Sequence, residues 1–140
     1  NKEAERLGIT NIETRSWDAT RVDSSMHQKA DRVLVDVPCS GLGVIRRKPE
    51  IKYKEYDADI ELLPKKQLAI LSASASYVKP GGTLLYSTCT VNPRENERVV
   101  ERFLDKNPSF KKIERTLLLP NVNGTDGFFI CVMKKNDSLI

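Results

Sequence analysis

Short continuous runs of apolar residues alternate along the chain with longer stretches in which apolar positions recur at helical spacing. The run DRVLVDV, residues 31–37, is rich in β-branched residues and stops at Pro38, which predicts a strand buried on both faces. The run TLLYSTC, residues 83–89, predicts a second strand. At the end of the chain, FKKIERTLLL at 110–119 and GFFICVMKK at 127–135 predict two strands joined by a turn.

Helical spacing and turn residues define the elements between these strands. Apolar positions in LLPKKQLAILSASASY, residues 62–77, predict a helix with Pro64 in its first turn. PRENERVVERFLDK, residues 93–106, predicts another helix, and KPGG at 79–82 predicts a turn. The segment NIETRSW, residues 11–17, alternates enough to predict one further short strand. Strands alternating with helices predict an α/β fold with a mainly parallel sheet and an antiparallel pair at the C-terminus.

The composition narrows the class of protein to a globular domain without a disulfide framework. The chain has 140 residues, 39% of them hydrophobic and 30% charged, and no apolar run approaches the length of a membrane span. A net charge of +4 permits a nucleic-acid partner without requiring one. Three cysteines without a Cys-x-x-Cys pair favour reduced thiols in a cytoplasmic protein, and neither they nor His27 show the ligand spacing of a metal site.

The first residues, NKEAERLGI, carry no initiator methionine and have the pattern of a helix that is stopped by Gly8. We therefore expect the chain to begin inside a larger protein. Residues 1–140 contain neither an internal repeat nor a clear linker, so we expect them to form the C-terminal portion of a single domain.

Four side chains that can carry chemistry are predicted at the ends of strands. Asp18 follows the predicted strand NIETRSW, which comes first along the chain. Asp36 and Cys39 lie at the end of DRVLVDV, and Cys89 ends TLLYSTC. Ligands of open α/β sheets bind outside the carboxyl ends of the strands, so these two carboxylates and two thiols are expected to converge. Cys131, inside a predicted strand, is expected to be a packing residue.

Several of these features also have a purely structural interpretation. Asp36, before Pro-Cys-Ser-Gly, is suited to closing a turn. Asn92 and Glu95 have the spacing of a capping box, which would start the second helix. The glycines of GLG, residues 41–43, match a dinucleotide fingerprint poorly, because Arg46 stands where its third glycine belongs.

Two longer motifs are more specific than any single residue. DVPCSGLGVIRRKPEIKY, beginning at Asp36, and YSTCTVNPRENE, beginning at Tyr86, resemble the two cysteine motifs of the RNA 5-methylcytosine methyltransferases of the Sun/Fmu/Nop2 family. The RRKPE extension and the terminal DGFFICVMKK are most similar to the bacterial members that methylate a cytosine of 16S ribosomal RNA. The resemblance covers nearly the whole chain.

The resemblance implies a Rossmann-like fold, S-adenosylmethionine as cofactor and RNA as substrate. It implies that Cys89 is the nucleophile and that Cys39 assists release of the methylated base. Asp36 is expected near the target base and the cofactor, and Asp18 near the adenosine end of the cofactor. A basic loop is expected to meet RNA phosphates, and its residues are Arg46, Arg47 and Lys48.

Methylation at carbon 5 of cytosine explains why such a family uses thiols. A thiolate that adds to carbon 6 makes carbon 5 enamine-like, so that carbon 5 can attack the sulfonium methyl group. A proton must leave carbon 5 before the thiolate is expelled, and a protonated Asp36 could donate to the cytosine ring during the attack. The reversed assignment, with Cys39 as nucleophile, stays open, because a Pro-Cys pair after the same strand is the nucleophile of DNA cytosine methyltransferases.

The chain departs from the family by lacking its glycine-rich cofactor motif, Pro-Gly-Gly-Lys, and the acidic residue that ends the next strand. We therefore expect weak or no methyltransferase activity from these residues alone, and self-association through an open strand edge. Two other functions stay open. One is a noncatalytic RNA-binding or assembly fragment, and the other is a nucleotide-binding oxidoreductase that rests on the GLG loop.

Overall fold

The computed structural model describes residues 2–53 and 59–137. Its helices and strands are α1 (Lys2–Arg6), β1 (Ala30–Asp36), α2 (Asp59–Ala75), β2 (Val78–Thr88), α3 (Glu97–Lys106), β3 (Phe110–Leu118), α4 (Pro120–Asn123) and β4 (Phe128–Lys135). Short 3-10 helices lie at Ser24–Met26, Leu42–Val44 and Pro49–Tyr53. The predicted stop at Gly8 is confirmed, since its φ of +67° lets Ile9 N donate to Ala4 O at 2.8 Å.

The strands form a mixed sheet in the order β1-β2-β4-β3. β1 and β2 are parallel and are joined through α2, whereas β2 with β4 and β3 with β4 are antiparallel. The predicted α/β fold and the antiparallel pair at the end of the chain are confirmed, although only one of these three pairings is parallel. Tyr86 of β2 and Phe129 of β4 are fully buried in the core, with ring centroids 6.3 Å apart.

In the described part of the chain, β1 forms one edge of the sheet. Val35 is 4% exposed in the core cluster that it shares with residues of α2 and α3, but Leu34, on the opposite face of the strand, is 70% exposed. The prediction that DRVLVDV is buried on both faces is therefore wrong for these residues. The physical reason is that α2 and α3 pack on the face that carries Val35 and its sheet neighbour Tyr86.

We expect Leu34→Lys to reduce self-association of the chain without unfolding it. An exposed apolar edge pairs readily with another chain, and a lysine on that edge opposes such pairing. The side chain contributes little to the core, because it is 70% exposed. Sedimentation velocity measures the shift towards monomer, and Ile113→Lys, at a 62% exposed position of the other edge strand β3, is the matched control. A monodisperse wild-type monomer would contradict self-association through the β1 edge.

The strand predicted for NIETRSW is wrong, because residues 11–17 have no strand structure. A strand requires a neighbour for its ladder of backbone hydrogen bonds, and no strand of the described sheet pairs with this segment. Its side chains make short-range contacts instead: Trp17 Nε1 donates to Arg21 O at 2.9 Å, and Arg15 Nε donates to Glu13 Oε1 at 2.8 Å.

The predicted turn KPGG lies inside a strand. The parallel register shifts between Ala30 and Arg32, where β2 accommodates residues 79–82 as a bulge with Gly81 at a φ of +70°. The chain therefore does turn at these glycines, but the pairing of β2 with β1 resumes on the far side. β2 is consequently longer than the strand predicted from TLLYSTC alone.

Both long helices begin at residues other than those predicted. α2 begins at Asp59, which places Pro64 in its second turn rather than its first. α3 begins at Glu97, and the preceding residues form a turn. The physical reason at α3 is that the side chains of Glu95 and Asn96 are buried. They bond to Ser40 and Thr90, in the loops that follow β1 and β2.

Candidate active site

The carboxyl ends of β1 and β2 lie side by side because the two strands are parallel. Asp36 pairs with Ser87 in the register, and Ser87 Oγ donates to Asp36 Oδ1 at 2.8 Å. Val37 N continues the contact by donating to Ser87 O at 3.2 Å. The two loops that follow these strands, which carry Cys39 and Cys89, therefore leave the sheet next to each other.

The two thiols meet at this edge of the sheet. Cys39 Sγ lies 3.2 Å from Cys89 Sγ, and both residues are half-buried. At this separation one thiol can donate a hydrogen bond to the sulfur of the other. The structure therefore places Asp36, Cys39 and Cys89 at neighbouring strand ends, as the rule for ligand sites in α/β sheets predicts.

Cys39 is held as a thiol by its surroundings. Burial raises the pKa of Cys39 to about 12, and the hydrogen bond with Cys89 adds to the shift. Cys39 is therefore protonated at neutral pH, which suits a hydrogen-bond donor better than a nucleophile. Because the pKa is raised from the usual 9.0, the stabilisation linked to this proton is complete below pH 9 and is lost as the pH rises towards 12.

Backbone hydrogen bonds hold the loop after Cys39 against the loop that contains Cys89. Gly43 N donates to Cys89 O at 3.0 Å, and Gly127 N donates to Gly43 O at 2.8 Å. A Cβ on Gly43 would collide with Gly127 O and would lie 2.8 Å from Cys89 O. Gly43 thus serves close approach between protein loops, and this contact accounts for a glycine at position 43 without a bound dinucleotide.

A buried carboxylate joins the same two loops. Glu95 is 2% exposed, and its Oε2 accepts hydrogen bonds from Ser40 N at 2.8 Å and Gln67 Nε2 at 3.0 Å. Its Oε1 accepts from Ser40 Oγ at 2.6 Å and from Asn92 Nδ2 at 3.0 Å. The capping-box interpretation of Asn92 and Glu95 is wrong, because the carboxylate reaches the loop of Cys39. Sequence reasoning missed this role, since Ser40 is 55 positions away along the chain.

Two further buried side chains shape the turn around Cys89. Thr88 Oγ1 donates to Asn96 Oδ1 at 2.6 Å, and Asn96 Nδ2 donates to Thr90 O at 2.9 Å. The threonines on either side of Cys89 are therefore both bonded to the residue that precedes α3. These hydrogen bonds explain how the polar side chains of Thr88, Thr90 and Asn96 can be buried.

Asp18 lies in a turn rather than at the end of a strand. Its Oδ1 accepts from Thr20 Oγ1 at 2.7 Å and from Thr20 N at 3.0 Å, and these bonds hold the pKa of the carboxyl below its usual range. Arg21 Nε lies 3.7 Å from the other oxygen. The described hydrogen bonds of Asp18 are therefore local, and none joins it to the thiol pair.

The basic loop downstream of Cys39 is exposed. Its residues Arg46, Arg47 and Lys48 face solvent, and Arg47 Nε lies 3.0 Å from Asp126 Oδ2. That ion pair ties the loop to the segment before β4. Cys131, within β4, is 1% exposed, and burial raises its pKa to about 11, as suits the packing residue that the sequence predicts.

Two further properties concern only the part of the chain that the structure describes. Within residues 2–53 and 59–137, no helix is both long and apolar enough to cross a bilayer. The same two ranges contain no group of three or more His, Cys, Asp or Glu side chains that could hold a metal ion.

The α/β sheet, with Asp36, Cys39 and Cys89 after two parallel strands, has the Rossmann-like fold of methyltransferases. The methyltransferase homolog protein from Pyrococcus horikoshii shares it, with a TM-score of 0.78 and 28% identity over 96% of this chain and 48% of that chain. The chain belongs to the 16S rRNA methyltransferase RsmB/F family, whose model matches residues 1–134. The resemblance seen in the two cysteine motifs is thereby confirmed.

Two further comparisons show how much of a longer protein the match covers. The probable ribosomal RNA small subunit methyltransferase B of Bacillus subtilis is 43% identical over 150 residues, which cover 94% of this chain and 34% of the relative. NSun6 from Pyrococcus horikoshii, solved with SFG, has a TM-score of 0.82 and 28% identity over 98% of this chain and 38% of that chain. The chain spans about a third of the length of the curated relatives it matches.

Proposed function

We propose that this chain is the catalytic part of an S-adenosylmethionine-dependent enzyme that methylates carbon 5 of a cytosine in small-subunit ribosomal RNA through a covalent cysteine adduct. The observation that carries the proposal is the 3.2 Å contact between Cys39 Sγ and Cys89 Sγ at two strand ends. Family membership and the name of the Bacillus subtilis relative support a ribosomal RNA substrate. A cytoplasmic location and the assignment of residues 1–140 to one methyltransferase domain are parts of the same proposal.

The environment of Cys39 supports the assignment of the roles. Cys89 forms the bond to carbon 6 of the cytosine, since burial keeps Cys39 protonated at neutral pH. Before the attack, the Cys39 Sγ–H group can donate to the sulfur of Cys89, which lies 3.2 Å away. After a water molecule takes the proton from carbon 5, the electrons of that C–H bond form the carbon 5–carbon 6 double bond, and the bond between Cys89 and carbon 6 breaks with its electrons going to sulfur. The same donor then stabilises the departing sulfur, which is how Cys39 assists release.

The described residues fit the cofactor in part. Bound S-adenosylmethionine supplies an electrophilic methyl group. Asp36 and Asp18 both have exposed carboxylates, which can accept hydrogen bonds from the hydroxyl and amino groups of such a ligand. Asp36, bonded to Ser87 Oγ at the strand end, would hold the cofactor beside the target base, and Asp18 its adenosine end. KPGG at 79–82 cannot replace the missing glycine-rich motif, because it lies at the opposite end of β2 from Cys89.

The exposed basic loop supports RNA as the partner. Arg46, Arg47 and Lys48 follow the Cys39 loop directly, and basic side chains supply much of the affinity for a phosphate backbone. These three residues would position the strand, while the target base leaves its stack to reach the half-buried Cys89. Self-association through the β1 edge is the remaining partner proposal, and Leu34→Lys tests it.

Methyl transfer to small-subunit ribosomal RNA tests the proposed function. A protein that joins this chain to the family's glycine-rich segment is expected to label carbon 5 of one cytosine, as measured by mass spectrometry of the nucleosides. This chain alone is expected to show no micromolar binding of S-adenosylmethionine by calorimetry. Asp36→Asn is expected to slow transfer by about 10²-fold, and an unchanged rate would refute its role at the ring.

The same assay separates the alternatives. Label on another base would contradict cytosine as the target. RNA binding without any transfer, unaffected by loss of both cysteines, would instead favour a noncatalytic RNA-binding or assembly fragment. Micromolar cofactor binding by the chain alone would show that these residues rebuild a cofactor site without the glycine-rich motif.

A further inference from the structure

Glu95 has an unusual environment for a carboxylate. It is 2% exposed, and the ion pairs found among the described residues do not include it. Its two oxygens accept four hydrogen bonds, from Ser40 N, Ser40 Oγ, Gln67 Nε2 and Asn92 Nδ2. Burying a carboxylate is costly unless such bonds replace those to water. The burial of Glu95 therefore indicates a role other than helix capping.

Three of the four bonds tie Glu95 to the segment that carries Cys39. Ser40 follows Cys39 directly, and both its N–H and its hydroxyl donate to Glu95. Gln67 Nε2 donates to Glu95 and also to Pro38 O at 3.0 Å, so the residue before Cys39 is held by the same amide. The peptide units on both sides of Cys39 are therefore attached to one buried cluster.

Gln67 gives up a hydrogen bond to make this arrangement. Its Nε2 has two acceptors, but its Oε1 is a buried side-chain oxygen without a partner among the described residues. An unsatisfied buried oxygen is unfavourable and is uncommon in folded proteins. The amide is thus oriented so that its Nε2 donates both to Glu95 and to the carbonyl oxygen of Pro38, the residue before Cys39.

The same carboxylate also restrains the Cys89 side of the pair. Asn92, three positions after Cys89, donates to Glu95 Oε1 at 3.0 Å. Thr90, the neighbour of Cys89, makes a 2.8 Å hydroxyl contact with Ser40 Oγ, which is itself bonded to Glu95. Loops from the two strand ends therefore share one anchor.

We propose that Glu95 is a positioning residue whose carboxylate sets the separation of the Cys39 and Cys89 thiols. Its importance for catalysis rests on the proposed function, but its effect on the thiols does not. Both oxygens face hydrogen-bond donors, so a carboxylate fits and an amide at this position would place its own N–H groups against N–H groups. Losing this anchor lets the Cys39 loop move relative to Cys89.

The rate at which the two thiols close into a disulfide measures their separation. Oxidised glutathione reacts with one thiolate, forming a mixed disulfide and releasing one glutathione, and the second thiol then displaces the other glutathione. In the wild-type chain, thiols 3.2 Å apart are expected to close quickly, so that little mixed disulfide accumulates. In Glu95→Gln, closure is expected to slow by about tenfold or more, because intramolecular reactions depend steeply on placement.

Glu97→Gln is the matched control for this experiment. It makes the same chemical change two positions away, at a surface residue whose Oε1 accepts from Arg115 Nη1 at 3.0 Å, and closure is expected to stay at the wild-type rate. Ser40→Ala is a milder second variant that removes the hydroxyl contacts with Glu95 and Thr90 but keeps the bond from Ser40 N. It is expected to slow closure severalfold, and it decides the question should Glu95→Gln fail to fold.

Wild-type closure rates in folded Glu95→Gln, or in Ser40→Ala, would overturn the positioning role. Equal slowing in Glu97→Gln would also overturn it, since the effect would then be a general loss of stability. The readout needs neither RNA nor cofactor, so it is independent of the proposed methyltransferase function. In the active protein, Glu95→Gln is expected to lower kcat by about 10²-fold with little change in the KM for RNA.

Discussion

We expect Cys89→Ala to abolish covalent capture of RNA that contains 5-fluorocytidine, whereas Cys39→Ala retains or increases it. Fluorine at carbon 5 cannot leave as a proton does, so an adduct that has accepted the methyl group stalls. Without Cys89 no bond to carbon 6 forms, and methyl transfer to unmodified RNA is expected to fall by at least about 10³-fold. Without Cys39 the bond still forms but breaks slowly, so the adduct accumulates even on ordinary cytosine.

The environment of Cys39 is the physical basis of this expectation. A thiol must lose its proton to attack, and burial raises the pKa of Cys39 to about 12. In the proposed mechanism, the protonated Cys39 therefore donates to Cys89, 3.2 Å away, and does not compete for the same carbon. In the proposed mechanism, the departing Cys89 sulfur regains charge when the methylated base is released, and the Cys39 donor stabilises it.

A denaturing gel that separates free RNA from protein-bound RNA measures the adduct, with the protein that includes the glycine-rich segment as the starting material. Cys131→Ala is the control for loss of a thiol, because Cys131 lies in β4 and is 1% exposed. It is expected to leave capture unchanged. An adduct in Cys89→Ala that disappears in Cys39→Ala would reverse the two roles and match the arrangement of the DNA enzymes.

Gly43→Ala is expected to destabilise the chain and to separate the two cysteine loops. The added Cβ would collide with Gly127 O and lie 2.8 Å from Cys89 O, and both are backbone atoms that cannot rotate away. Relief of these contacts requires breaking the bonds from Gly43 N to Cys89 O and from Gly127 N to Gly43 O. A loss of about 1–3 kcal/mol in the free energy of unfolding is expected, as for other overpacked sites.

Urea denaturation measures this loss when the m-value, the slope of the free energy of unfolding against urea concentration, is the same in both proteins. Gly124→Ala is the matched control, because a Cβ there meets nothing within 4 Å, although its φ of +69° makes alanine strained. That strain is expected to cost about 1–2 kcal/mol by itself. Slower closure of the Cys39–Cys89 disulfide should therefore occur only in Gly43→Ala. Equal closure rates in both variants would show that the Gly43 contact does not position the thiols.

The elements whose signal lies in consecutive residues were predictable from sequence. β1, β2 and the antiparallel pair β3–β4 follow from runs of apolar and β-branched residues, which favour strands wherever they are paired. The strand prediction for residues 11–17 is wrong because their alternation is weak and because a strand needs a neighbour, which the described sheet does not supply. Leu34 is exposed for a related reason, since burial on both faces requires cover that α2 and α3 provide on one face only.

The candidate site divides in the same way. The strand-end rule predicted that Asp18, Asp36, Cys39 and Cys89 would converge. Asp36, Cys39 and Cys89 do follow neighbouring strand ends, because parallel strands bring their carboxyl ends to one edge, whereas no strand precedes Asp18. Glu95 was interpreted as a helix cap from its spacing to Asn92. Its partners Ser40 and Gln67 lie 55 and 28 positions away, and no local pattern reports contacts of that range.

By itself, the sequence determined the α/β class and the family, and it proposed Cys39 and Cys89 as the reactive thiols. These properties depend on local backbone preferences and on residue types, so short stretches of sequence are enough to predict them. The tertiary structure alone decided which face of β1 is covered, the 3.2 Å separation of Cys39 and Cys89 and the raised pKa of Cys39. Those properties arise from burial and from hydrogen bonds between distant segments, and they exist only once the chain has packed.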